Sequence, residues 1–127
     1  MCPAIDLPHR IFYESMTEDL KKKLETDGII TTDMVKGVPW TITKDYVDDS
    51  RENNDIGGIG EIMVEFPVTI VQGKKDEIVP WETARELSGK IDSPQLRLVL
   101  LRDAEHRFHG ESEVILNELK DLIKIVL

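Results

Sequence analysis

Phe66-Pro67-Val68-Thr69-Ile70-Val71-Gln72-Gly73-Lys74-Lys75-Asp76-Glu77-Ile78-Val79-Pro80 is the stretch whose reading decides the fold. Val68 to Val71 is short, β-branched and bounded by Pro67 and Gly73, the pattern of a strand buried on both faces of a parallel sheet. A loop with one carboxylate, Asp76, follows, and then Pro80, whose fixed φ and missing N–H suit the first turn of a helix.

A second apolar run, Leu96 to Leu101, ends in Arg102-Asp103-Ala104-Glu105-His106, so a histidine also lies in a loop just beyond a strand. Between the two runs Ala84, Leu87 and Ile91 recur at helical spacing, with Ser88-Gly89 near the stop. The segment therefore reads as a βαβ unit, whose strands are parallel and whose crossover is expected to be right-handed. Parallel neighbours bring both loops to the same carboxyl edge of the sheet, where open α/β folds keep their sites. Such an arrangement allows an Asp and a His to meet.

These residues carry a resemblance. Gly73-Lys-Lys-Asp76-Glu-Ile-Val79-Pro80 resembles the GxxDxxVP element of the α/β-hydrolases, and Asp103-Ala-Glu-His106-Arg107 resembles their histidine loop, with Ala104 in place of the common glycine. Upstream, Cys2-Pro3-Ala4-Ile5-Asp6, the helix that ends at Asp27-Gly28, and Tyr46-Val47-Asp48-Asp49-Ser50-Arg51 are similar to the lid region of abhydrolases of the palmitoyl-protein thioesterase and acyl-glucuronide esterase type and their bacterial relatives. The resemblance covers nearly the whole chain. It implies an α/β class with a partial α/β-hydrolase fold: a helical cap followed by the last two parallel strands and the last two helices. Residues 1–127 are expected to form a single carboxyl-terminal segment, with 1–60 as the cap and 61–127 as the β-α-β-α part carrying acid and histidine. In such a fold Pro3 to Asp6 lie just beyond the sixth strand, which places Met1 inside it. The nucleophile, the oxyanion loop and the earlier strands would then precede Met1.

Composition narrows the function classes. The formal charge is −9 and the basic residues do not gather into a patch, which argues against a nucleic-acid partner. One cysteine, Cys2, makes no internal disulfide, and no apolar run approaches ~18 residues, so no membrane span is expected. Neither a signal-peptide core nor an arginine-rich transit helix opens the chain. A soluble, cytoplasmic protein is the expectation, and a mitochondrial or other organellar address on a longer parent chain would not be visible here.

The cap reads as follows. Met1 to Tyr13 has no clean periodicity. Thr17 is an N-cap candidate, Glu18 and Asp19 suit the positive first turn, Leu20 and Leu24 share a face, and Gly28 terminates the helix. Ile29 to Trp40, with Gly37 and Pro39, reads as loop or a brief extended piece. Thr43 caps a second helix that ends in the polar run 51–55. Gly57-Gly58-Ile59-Gly60 lacks a Walker lysine and a preceding strand, and is read as a plain turn leading to the strand at Val68. From Ser112, Ile115, Leu119, Leu122 and Val126 form the stripe of a closing amphipathic helix over the sheet.

The chemistry implied by the resemblance is that of a serine hydrolase. Imidazole suits a general base because its proton affinity lies near neutrality, and a carboxylate on the other ring nitrogen fixes the tautomer. By resemblance Asp76 is the orienter and His106 the base. On spacing alone, an Asx-turn aspartate and a surface loop histidine are the commoner readings, since two polar residues in neighbouring loops are frequent. No G-x-S-x-G elbow occurs: Ser15, Ser50, Ser88, Ser93, Ser112 and Cys2 all lack that glycine frame. The chain thus holds two members of a triad, and is not expected to form an acyl-enzyme by itself. His106 and His109, with Asp103 and Glu105, offer a metal alternative that Gly110 and the missing further ligands weigh against. The resemblance implies no metal and no organic cofactor.

Trp81 is a candidate for the mouth of the site. Phe12, Trp40 and Tyr46 either line an acyl pocket or pack beneath the cap. The expected substrate is a small-molecule or acylated-protein ester or thioester. A separate amino-terminal half, or self-association through an exposed strand edge, is the expected kind of protein partner, and a non-catalytic interaction module is the alternative function.

Overall fold

The computed structural model describes residues 4, 5, 7–35, 38–53 and 56–126. The readings of Cys2 and Pro3, of Met1 within a strand, and of Asp6 lie outside these residues. The chain divides into two compact units, one of residues 5–58 and one that takes in residues 59–127.

In the first unit a π-helical stretch, Leu7–Tyr13, precedes α1, Glu18–Asp27. The Thr17 side chain accepts the Leu20 N–H at 3.4 Å, and Gly28 ends the helix at φ 74°, its N–H donating to the Leu24 carbonyl. Two strands follow where a loop or brief extended piece was expected. β1, Ile29–Val35, and β2, Val38–Thr43, pair antiparallel from Ile29↔Thr43 to Val35↔Val38, with an irregularity between Thr32 and Val35. The β-branched run Ile29-Ile30-Thr31-Thr32 outweighs Pro39, which sits in the irregular part of the pairing, where a missing N–H costs least. The Thr43 hydroxyl then caps α2, Lys44–Asn53, by accepting the Tyr46 N–H at 3.2 Å.

Phe12, Met16, Leu24, Ile30, Ile42 and Val47 form the buried core of this unit. Phe12 and Trp40 meet edge to face with centroids 5.2 Å apart, while Tyr46 is exposed. Of the two readings of these aromatics, packing within the unit accounts for Phe12 and Trp40.

In the second unit β4, Val68–Gly73, and β6, Leu96–Leu101, lie parallel in unbroken register from Val68↔Leu96 to Gly73↔Leu101. They are joined through α3, Trp81–Ser88, which packs on both strands through Ala84 and Leu87. A further parallel pair was not foreseen: β3, Ile62–Met63, beside β5, Ile91–Asp92. The glycine-rich run thus leads first into β3, and Lys90 Nζ donates to the Ile59 carbonyl at 2.6 Å. Two-residue strands carry too little periodicity to be read from sequence.

α4, Ser112–Val126, closes the unit against β4. Its inward face differs from the expected stripe. Ile115 and Leu122 are half-buried, but Leu119 is 50% exposed, and the position between them belongs to Glu118, whose carboxylate pairs with Arg97 of β6 at 3.0 Å. An arginine on the strand draws the glutamate inward, and Leu119 turns away with Leu116 and Ile123. No helix among the described residues is long and apolar enough to cross a membrane.

Candidate functional site

The site is built at the carboxyl ends of β4 and β6, which finish level at Gly73 and Leu101. The two loops beyond them are joined by backbone bonds: the Lys74 N–H donates to the Leu101 carbonyl at 2.8 Å, and the Lys75 N–H to the Ala104 carbonyl at 3.0 Å. Gly73 makes this approach possible. A Cβ there would overlap the Ala104 carbonyl oxygen and stand 3.1 Å from that of Glu105. Lys75 and Asp103 add an exposed ion pair between the loops at 2.7 Å, which raises the Lys75 pKa, with Glu105 contributing.

Asp76 begins the turn that leads to α3. Its side chain is fully buried, and Oδ1 accepts the N–H groups of Ile78 and Val79, both at 2.9 Å. This is the Asx geometry that sequence reading offered as the plain alternative. The carboxylate does more than close the turn, however, because Oδ2 lies 3.0 Å from His106 Nδ1. With Asp76 ionised, Nδ1–H donates, and the acceptor lone pair of the neutral ring lies on Nε2. The His106 side chain is 36% exposed, so the ring is anchored on one side and reaches solvent on another. The structure therefore brings Asp76 and His106 together.

Ala104, in place of glycine, is buried and needs no left-handed backbone. Among the described non-glycine residues only Phe108 takes a positive φ, 51°, in the turn that closes through its N–H to the Glu105 carbonyl. The histidine loop thus places its strained residue two positions after His106.

Sequence reading missed Gln72. It is the one polar side chain buried within β4, and its Nε2 donates to Asp76 Oδ2 at 3.0 Å and to the Val79 carbonyl at 3.1 Å, with the Gly73 carbonyl at 3.3 Å. The signal was available: an amide among β-branched residues, four positions before an aspartate.

Trp81, the weak substrate-binding candidate, is half-buried at the start of α3, with Lys74 Nζ 5.0 Å and Arg85 Cζ 5.7 Å from its ring centroid. Ser15 donates to the carbonyls of Ile11 and Phe12, and Ser50 is buried in α2. Ser88 donates to the Arg85 carbonyl. Ser93, bonded to the Phe66 carbonyl, precedes β6, at the opposite end of a strand about 20 Å long from the histidine. Ser112 opens α4. None of these serines stands on a tight strand-to-helix turn; Ser93 lies between β5 and β6. Among the described residues no three His, Cys, Asp or Glu side chains gather as a metal site requires.

Comparison with known proteins agrees with this architecture. No protein-family model matches the chain. Curated proteins named palmitoyl-protein thioesterase ABHD10, mitochondrial, are similar to it: the rat protein at 31% identity and the human at 23%, each over 87% of this chain. The chain spans only 38% and 37% of their lengths. A crystal structure from Agrobacterium vitis S4, described as that of a hydrolase, superimposes with a TM-score of 0.81 at 24% identity, over 96% of this chain and 47% of that one. The mouse α/β-hydrolase domain-containing protein 10 gives 0.74 at 23%, over 91% and 47%.

Proposed function

This chain has a partial α/β-hydrolase fold and is homologous over most of its length to the abhydrolases, and from that premise we propose that it supplies the acid and the base of an ester or thioester hydrolase. The observation that carries the reading is the 3.0 Å contact between Asp76 Oδ2 and His106 Nδ1 at the level ends of two parallel strands. In this reading Asp76 holds the Nδ1–H tautomer, and Nε2 removes the proton of a serine hydroxyl as that oxygen attacks the acyl carbonyl. The imidazolium then protonates the departing alkoxide or thiolate, and water, deprotonated by the same nitrogen, releases the acid. The serine would stand on a G-x-S-x-G elbow that these 127 residues do not contain, and no metal or cofactor is required. The name of the curated relatives favours an acyl thioester as substrate. The cytoplasm is the compartment proposed, with the mitochondrion, named for those relatives, as the alternative.

A fluorophosphonate probe tests this. The chain alone is expected to stay unlabelled. Co-expressed with an abhydrolase segment that bears the elbow, it is expected to restore serine labelling and thioester hydrolysis, both lost in His106→Ala. Labelling of the isolated chain that disappears in His106→Ala, or restored hydrolysis indifferent to that substitution, would overturn the proposal.

A second reading, a non-catalytic interaction module, is favoured by α4, where Leu116, Leu119 and Ile123 are about half exposed. Its partner would be another polypeptide or a second copy of this chain.

A further inference from the structure

We infer that Gln72 is a positioning residue for the Asp76–His106 pair, holding Asp76 Oδ2 on the line to Nδ1 and thereby selecting the ring tautomer; this rests on the reading of Asp76 as the orienter of His106. Gln72 is fully buried, and its amide has one arrangement that fits. Nε2 faces three oxygens, Asp76 Oδ2, Val79 O and Gly73 O, within 3.3 Å, and turning the amide over would set oxygen against oxygen at all three. The cost is visible on the other side of the group, where Oε1 is buried without a hydrogen-bond donor. A leucine or methionine of similar volume would avoid that orphan acceptor. What only the amide supplies is the pair of N–H donors.

Their placement is specific. The Ile78 and Val79 N–H groups fix Oδ1. Gln72 braces the other oxygen, because its Nε2 donates to Oδ2 and to the carbonyl of Val79, whose own N–H already holds Oδ1. Oδ2 is then shared between Gln72 Nε2 and His106 Nδ1, each at 3.0 Å. A proton gained or lost by the imidazole must be felt at the Gln72 amide through that one oxygen.

Nitrogen-15 NMR of the full chain tests the inference. In the wild type, one of the two Gln72 side-chain N–H resonances is expected to move across the same pH range as the His106 ring; if neither moves, the inference falls. In Gln72→Met the Nε2–H tautomer of His106 is expected to rise about threefold or more, as Oδ2 loses the brace that holds it on the line to Nδ1. Asp76→Asn separates the two levels. If it leaves the His106 tautomer unchanged, the orienter reading itself fails; if it changes the tautomer while a folded Gln72→Met does not, only the role of Gln72 fails. Should Gln72→Met not fold, the wild-type titration decides alone.

Discussion

Gly73 and Ala104 touch backbone to backbone: there is no room for a Cβ on Gly73 against the Ala104 carbonyl, which accepts the Lys75 N–H at 3.0 Å. The end of the acid-bearing strand and the histidine loop are thus in van der Waals contact three and two residues, respectively, from the groups they present. Gly73→Ala is expected to destabilise the second unit by about 1–3 kcal/mol, as overpacking against unyielding backbone does. It should also lengthen the Asp76–His106 contact. Thermal melting and the His106 ring NMR shifts check this, and an unchanged melting temperature would show that the loop yields freely.

Asp76 has a structural duty separable from any catalytic one. Its carboxylate receives donors from Ile78, Val79, Gln72 and His106. Asp76→Ala strands several of these at once, and a loss of at least ~2 kcal/mol is expected from unpaired buried donors. Asp76→Asn keeps an acceptor for Ile78 and Val79, so the expected loss is smaller. In a reconstituted hydrolase, however, the asparagine should lower the rate by up to about 10⁴, since the wrong tautomer is then favoured. Chemical denaturation and single-turnover assays measure the two effects separately.

Lys44 links the starts of α2 and the end of α1 through Asp48 and Glu25, the latter at 3.4 Å. The hydrogen bond from Lys44 holds the Asp48 carboxyl below its ordinary value of 3.8, and the same bond, with help from Glu25, raises Lys44 above 10.5. A lowered carboxyl stabilises above its unfolded pKa, and that contribution fades as pH falls through the lowered value; the raised amine stabilises below 10.5 and fades as pH climbs through its own raised value. Lys44→Met should therefore move the Asp48 midpoint up toward 3.8, read by carboxyl carbon-13 titration. The shift should shrink in about 1 M salt, because both groups are exposed.

The outward residues of α4 are open to a direct test. Leu119→Lys with Ile123→Lys removes two exposed apolar side chains, and the pair is expected to raise solubility with little change in melting temperature. If the chain self-associates, sedimentation velocity should show the larger species depleted in the double variant. Undiminished association would exclude this face as the contact.

Much of the second unit was legible because its elements are punctuated. Pro67 and Gly73 bracket a β-branched run, Pro80 opens a helix, and Leu96 to Leu101 is a continuous apolar run. Parallel pairing put the Asp76 and His106 loops at one edge of the sheet, and the resemblance to the α/β-hydrolase motifs singled out those two residues within them. Three features were hidden for physical reasons. The β1–β2 hairpin carries Gly37 and Pro39, which signal a break. The inward turn of Glu118 depends on Arg97 from a distant strand. Gln72 is spent on a turn that forms only once Asp76 and Val79 are in place, so the amide in the apolar run marks the position in sequence without naming its partners.

The flush finish of β4 and β6 has one more consequence. From that common baseline the acid loop counts three residues to its carboxylate and the histidine loop five to its ring. The two lengths act as a matched pair of spacers, and removing a single residue between Leu101 and His106 would retract the ring by roughly one residue's reach, ~3.3 Å, more than the whole gap the proton bond spans. The reach of these loops tolerates altered side chains far better than altered lengths.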